Sequence, residues 1–232
     1  MTEEKEFNTD PSWKGVIRVG GVSLFAAGAI ALIFFVSVIA TKQTLPPPPK
    51  ETLEAPFGPS ALFILAIIGE VLLLPSVLAL YYSLKDVKKT PMYIAIALWV
   101  LCVPMFLVSR GQILAVSQIS SSYLAATDEA MRASYLVSAE LAIESQDLYA
   151  MMALILLSIA SIIIGIVMLK GKEVFGKGIG YLVIVAGAFT LFGAISVKVE
   201  EVPIIFPIIG VILSAIWQLY IGVKLYKMGK EV

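Results

Sequence analysis

Six stretches of this chain avoid charge over lengths that few soluble folds would tolerate. Residues 19–41 carry no charged side chain, nor do 90–109, 148–169, 178–197 or 202–223, and 55–84 is interrupted only by Glu70. About 20 apolar residues rising 1.5 Å each suffice to cross roughly 30 Å of hydrocarbon. With no water in that layer, the backbone must satisfy its own hydrogen bonds, so each stretch is expected to be a helix. A membrane barrel would need short strands of alternating polarity, and these are absent. The fold class expected is all-α, a polytopic transmembrane bundle of six helices forming one membrane domain over 1–232. The spans fall at about 16–41, 59–84, 91–116, 148–169, 178–197 and 203–224, with an outer helical segment at about 117–147.

Composition agrees with lipid as the solvent. The chain is 59% hydrophobic and 15% charged, with a mean hydropathy of +0.94, far from the balance of a soluble domain. The leader MTEEKEFNTD is acidic on balance, and the apolar run after it exceeds a signal-peptide core, so that run is expected to stay as an anchor. Net charge is zero, which gives nucleic acid no electrostatic foothold.

The distribution of Lys and Arg sets an orientation. The N-terminus has Lys5, Lys14 and Arg18, the second loop Lys85, Lys88 and Lys89, the fourth loop Lys170, Lys172 and Lys177, and the C-terminus Lys224, Lys227 and Lys230. The opposite side holds only Lys42, Lys50, Arg110, Arg132 and Lys198. The positive-inside rule therefore predicts a cell-membrane protein with both termini in the cytoplasm.

Histidine is absent, and Cys102 is the single cysteine. That removes His-ligated haem, His-based zinc sites, His triads, thiolate clusters and intramolecular disulfides. No glycine-rich phosphate loop or intramembrane aspartate pair occurs, so the chain implies no cofactor and is more readily a non-enzyme than an enzyme. Glu140, Glu144 and Asp147 share one helical face and could gather a hard cation, but with no Gly-turn loop geometry the signal is weak and a solvated face is the preferred explanation.

The outer segments differ in kind from the tight, basic inner loops. Leu45 and the four prolines that follow predict a stiff polyproline II spacer. The segment after Gln112 reads as an extension of the third span and then a helix near Asp128–Ser145, capped by Thr127. Small residues mark close helix approaches. Gly21 and Gly28 in span one, and Gly180, Gly187 and Ala194 in span five, predict that both spans pack in the bundle interior. The words Ala27-Gly28-Ala29 and Ala186-Gly187-Ala188, with Ile67-Ile68-Gly69 and Ile208-Ile209-Gly210, suggest that spans one and two duplicate five and six. Chance sharing of short apolar words explains the same observation.

Leu80-Tyr81-Tyr82-Ser83-Leu84-Lys85 closes the second span, and Phe175-Gly176-Lys177-Gly178-Ile179-Gly180 leads into Val185-Ala186-Gly187. In this layout the chain resembles, over about 15–228, a family of six-helix prokaryotic membrane proteins classified only as a domain of unknown function. The resemblance implies six spans and a prokaryotic membrane, and carries no activity or catalytic residues.

Three residues are candidates for function. Glu70 lies near mid-span, where ionisation costs at least ~2.5–3.5 kcal/mol on insertion scales. Pro75, five residues on, leaves the Val71 carbonyl without its helical donor. An acid beside a loosened backbone suits proton or cation handling, and a charge that pins two helices together suits it as well. Arg110 is the natural partner, unless it snorkels outward. Counting along straight helices leaves roughly 13 Å between their depths, of which the arginine side chain closes about half and a bridging water or hydroxyl the rest. Gln218 lies on a ridge with Gly210, Ser214 and Gly222 that is expected to face the interior. Tyr81, Tyr82, Trp99, Trp217 and Tyr220 suit interfacial belts or core packing. Three readings follow. The first is a non-enzymatic accessory subunit or binder of a lipid-like ligand, with the bilayer and possible membrane-protein subunits as partners. The second is a small proton- or cation-coupled transporter using Glu70. The third is an enzyme acting on a membrane-soluble substrate.

Overall fold

The computed structural model describes residues 11–40, 49–54, 60–196 and 205–230. A short 3-10 turn, Pro11–Trp13, leads into α1 (Lys14–Ala40), followed by α2 (Pro49–Glu54), α3 (Ser60–Val71) and α4 (Leu73–Leu84). Then come α5 (Lys89–Ala125), α6 (Glu129–Lys170), α7 (Lys172–Phe175), α8 (Lys177–Ser196) and α9 (Ile205–Met228). The described residues contain no strand. Taking α3 and α4 as one span, six helices are long and apolar enough to cross a membrane. This is a multi-pass membrane protein, and lipid contacts much of its surface. The leader, Lys42, Lys198 and Pro46–Pro48 of the expected spacer lie outside the described residues.

Each span packs against the one before and the one after it, and α9 returns to lie along α1. The interior between them is filled by Trp99, Trp217, Leu80, Ile164, Met168 and Ile221, each no more than 1% exposed. Because successive spans reverse direction, α2 and the α5–α6 turn share one face of the bundle. The chain's described ends, the 85–88 loop and α7 share the other. At that second face Gly176 adopts φ +84, the left-handed conformation that turns α7 into α8.

Spans one and five are not central. Their glycine faces are buried, but Val19 (59%), Val22 (53%), Tyr181 (59%) and Phe192 (52%) face outward. The two glycine faces also take different partners. A Cβ on Gly21 would fall 2.5 Å from the Tyr226 nitrogen and 2.8 Å from the Gly222 carbonyl oxygen, so α1 meets α9 backbone to backbone. A Cβ on Gly187 would meet Ser158 and Ile162 of α6 instead. One stripe of small residues therefore admits a neighbour without specifying which neighbour.

The outer segment is helical as expected, with α5 extending the third span to Ala125, but it differs in two details. The helix expected near Asp128–Ser145 is no separate element, because α6 runs unbroken for 42 residues from Glu129 to Lys170. Its N-cap is Asp128 rather than Thr127. The Asp128 carboxylate accepts from the Ala130 N–H at 3.3 Å, satisfying one of the free donors of the first turn. Arg132 folds back to donate from Nε to the Ala126 carbonyl at 2.9 Å, closing the turn.

Candidate functional site

The second span is divided at Leu72, and that division positions Glu70. Pro75 has no N–H to give the Val71 carbonyl, so the helical ladder is interrupted one turn after the acid. Leu72 keeps helical dihedrals and donates to the Ile68 carbonyl at 3.0 Å, which holds α3 and α4 on nearly one path. The Ser76 hydroxyl donates to the Leu72 carbonyl at 2.6 Å. Against this break α1 approaches closely, since a Cβ on Gly20 would lie 2.5 Å from the Pro75 carbonyl oxygen.

Glu70, at the end of α3, faces α5. Arg110 donates from Nε to Glu70 Oε1 at 2.9 Å, in direct contact with no intervening group. The side chains are 20% exposed at Arg110 and 11% at Glu70, so the arginine is the outer member. The guanidinium also lies over the Phe34 ring of α1, 5.1 Å from its centroid, a cation–π distance. Phe34 in turn meets Phe63 of α3 edge-on at 5.9 Å. Three spans thus converge on one guanidinium, which is held at Nε and along one face. Its terminal nitrogens make no hydrogen bond among the described residues.

The contact is monodentate. Glu70 Oε2 is buried and accepts no hydrogen bond, and the hydroxyl of the adjacent Ser109 is likewise buried without a partner. Trp99 Nε1 and Trp217 Nε1 share that condition further along the interior, where the two rings meet edge to face at 5.9 Å. Both tryptophans are therefore core residues, whereas Tyr220 is 50% exposed. Tyr82 stacks on Trp13 at 3.8 Å and lies under the Lys85 ammonium, at the basic end of the bundle.

Gln218 is buried but is not joined to that pair. It sits on α9 against α1, where a Cβ on Gly28 would be 3.0 Å from Gln218 Cβ. Its ridge divides between two neighbours. Gly210 meets the α8 backbone, Ser214 Oγ is 3.3 Å from Thr190 Oγ1, and Gly222 meets α1. No three Asp, Glu or Cys side chains gather closely enough among the described residues to hold a metal, Glu140, Glu144 and Asp147 included. Phe34 and Ser109 were not singled out by sequence. Neither carries a local signal, because an aromatic or a serine in an apolar run is ordinary until a charge lies beside it.

A family model described as "Domain of unknown function (DUF4386)" matches residues 20–228. No curated protein and no solved structure matches.

Proposed function

The chain belongs to the DUF4386 family, whose description states no activity, and from that premise we propose that it is a non-enzymatic membrane protein that holds a lipid-like ligand by an acidic headgroup. The observation that carries this reading is the half-used guanidinium of Arg110. Glu70 takes Nε and Phe34 takes one face, while the terminal N–H groups remain, at a side chain 20% exposed. A planar fork held in this way is preorganised for a carboxylate or phosphate oxygen, and an acyl chain would run along the adjoining lipid-facing surface. Glu70 then acts as a positioning residue. We orient the protein in a cell membrane with both termini cytoplasmic, following its Lys and Arg bias, and read its six spans as one membrane domain.

The test is binding by the full chain in neutral detergent. Oleate and lysophosphatidylglycerol supply a carboxylate and a phosphate, with oleylamine as the cationic control. Arg110→Gln is expected to weaken both anionic amphiphiles by about tenfold or more, the scale of one lost charge-assisted contact. Equal binding of oleylamine, or undiminished binding by folded Arg110→Gln, refutes the reading.

A transporter using Glu70 is the second reading, favoured by the helix division at Leu72 beside an acid with one unpaired oxygen. It requires Glu70→Gln to abolish pH-driven uptake into vesicles. An accessory subunit is the third, favoured by helices that run well past the bilayer.

A further inference from the structure

Two of the six spans are far longer than a bilayer requires. α5 has 37 residues and α6 has 42, which at 1.5 Å per residue is about 55 and 63 Å against roughly 30 Å of hydrocarbon. The charge-free run of α6 begins at Leu148, so its first half, Glu129 to Asp147, stands beyond the membrane, paired with the end of α5. α2 braces this hairpin: Ser120 Oγ donates to the Leu53 carbonyl at 2.7 Å, and Leu53 is fully buried.

One face of α6 remains bare along this whole length. Val137 (63% exposed), Leu141 (65%), Leu148 (47%) and Met152 (39%) succeed one another at helical spacing. At about 100° per residue they fall in a narrow sector. Ile159 (38%) and Ile166 (45%) continue the same row into the spanning half of the helix. Lipid covers the row inside the bilayer. Above it, no described residue covers Val137 or Leu141, although both are large apolar groups. The row therefore leaves the membrane with its character unchanged.

Charge narrows what can lie against it. The outer half of α6 and its cap carry Asp128, Glu129, Glu140, Glu144 and Asp147 against Arg132 alone. Glu140 and Glu144 form one shoulder of the row, and the outer part of α5, from Gly111 to Ala125, carries no charge. Arg132 is already engaged with the Ala126 carbonyl and the Tyr123 ring. A second copy, related by a two-fold axis along the membrane normal, would set this shoulder against the uncharged flank of Ser134, Ser138 and Ser145 and bring no cation to it, and anionic lipid would be repelled.

We propose that this row docks a different, membrane-anchored protein. Its spanning helix would lie along α6 and continue above the bilayer with an apolar seam flanked by Lys and Arg. The continuity of the row from Ile166 to Val137 matches a helix that does the same. This inference does not rest on the amphiphile reading, and the residues involved are separate from Arg110.

The experiment uses the full chain in phosphatidylcholine vesicles, whose surface attracts neither sign of charge. The probe is a labelled synthetic peptide with one Leu/Ala span followed by a helix bearing a leucine seam and flanking lysines. A twin peptide carries glutamates in place of the lysines. Energy transfer from a donor on the hairpin is expected to report the basic peptide alone. Leu141→Glu should weaken it by about tenfold or more, and Glu140→Lys with Glu144→Lys should transfer the preference to the acidic twin. Both sites are exposed, so an unchanged helix signal and melting point check the fold. Equal binding of the twins overturns the proposal, as does indifference to Leu141→Glu. Disulfide pairing of Leu141→Cys with itself in preference to a cysteine-bearing basic peptide would assign the face to a second copy and overturn it too.

Discussion

Mutating Glu70 and Arg110 separately and together tests whether their contact holds the bundle together. Cutting one partner from a fully buried ion pair costs about 3–5 kcal/mol, and a charge-assisted hydrogen bond contributes about 1.5–3 kcal/mol. This pair belongs at the lower end, because it makes one N–O contact and both side chains keep some exposure, 20% at Arg110 and 11% at Glu70. The two single changes should differ. Glu70→Gln leaves a guanidinium near the outer boundary that can swing toward water, so its cost should be about 1–2 kcal/mol. Arg110→Gln strands the more deeply held carboxylate, and about 2–4 kcal/mol is expected. The double variant should cost no more than Arg110→Gln alone, giving a coupling of about 1–2 kcal/mol. Unfolding in mixed detergent micelles without added amphiphile, followed by far-UV helicity, measures all four corners of the cycle. Additivity within about 0.5 kcal/mol would show that the 2.9 Å contact contributes nothing to stability and would refute the reasoning.

Gly222→Ala should destabilise by about 1–3 kcal/mol, because the added Cβ meets the Phe25 nitrogen at 2.6 Å and the Gly21 carbonyl oxygen at 2.8 Å, backbone atoms that cannot step aside. Gly111→Ala is the matched control: nothing lies within 4 Å of its Cβ, so the exchange should be neutral or stabilising by up to about 1 kcal/mol, and the reverse ranking in a melting experiment would refute the seam. For orientation, Ser138→Cys should react with an impermeant thiol reagent from outside intact cells and Lys88→Cys only after permeabilisation. The native Cys102 is fully buried and adds little background, and the opposite pattern would invert the assignment.

The spans were legible because charge is excluded from hydrocarbon, and a run such as 148–169 declares itself with no knowledge of neighbours. Glu70 was legible for the same reason, as a lone exception within 55–84. Its contact with Arg110 was less so. Counting rise per residue set Arg110 at the outer end of its charge-free run, whereas α5 continues to Ala125, so Arg110 lies well inside its helix and meets Glu70 directly. The hairpin was misread at one point. A helix near Asp128–Ser145 followed by a span at 148–169 is one helix, because polar residues leaving the bilayer do not interrupt a helix whose backbone stays satisfied. Pairing was the least legible level. Gly21 and Gly187 announce close approach equally, and only the assembled bundle assigns the first to α9 and the second to α6.

The closure of α9 on α1 has a consequence for biosynthesis. Chains emerge in order, so the glycine-notched face of α1 has no glycine-bearing mate until Ile205–Met228 leaves the ribosome, some 165 residues after Ala40. At about 5–20 residues per second this interval lasts on the order of ten to thirty seconds. During that time the backbone around Gly21 and Gly28 is covered only by lipid or the insertion machinery. A chain halted before α9 would present a dimerisation-prone face of the kind that small residues create in membranes. The ring of spans is therefore completed only when the last helix arrives beside the first.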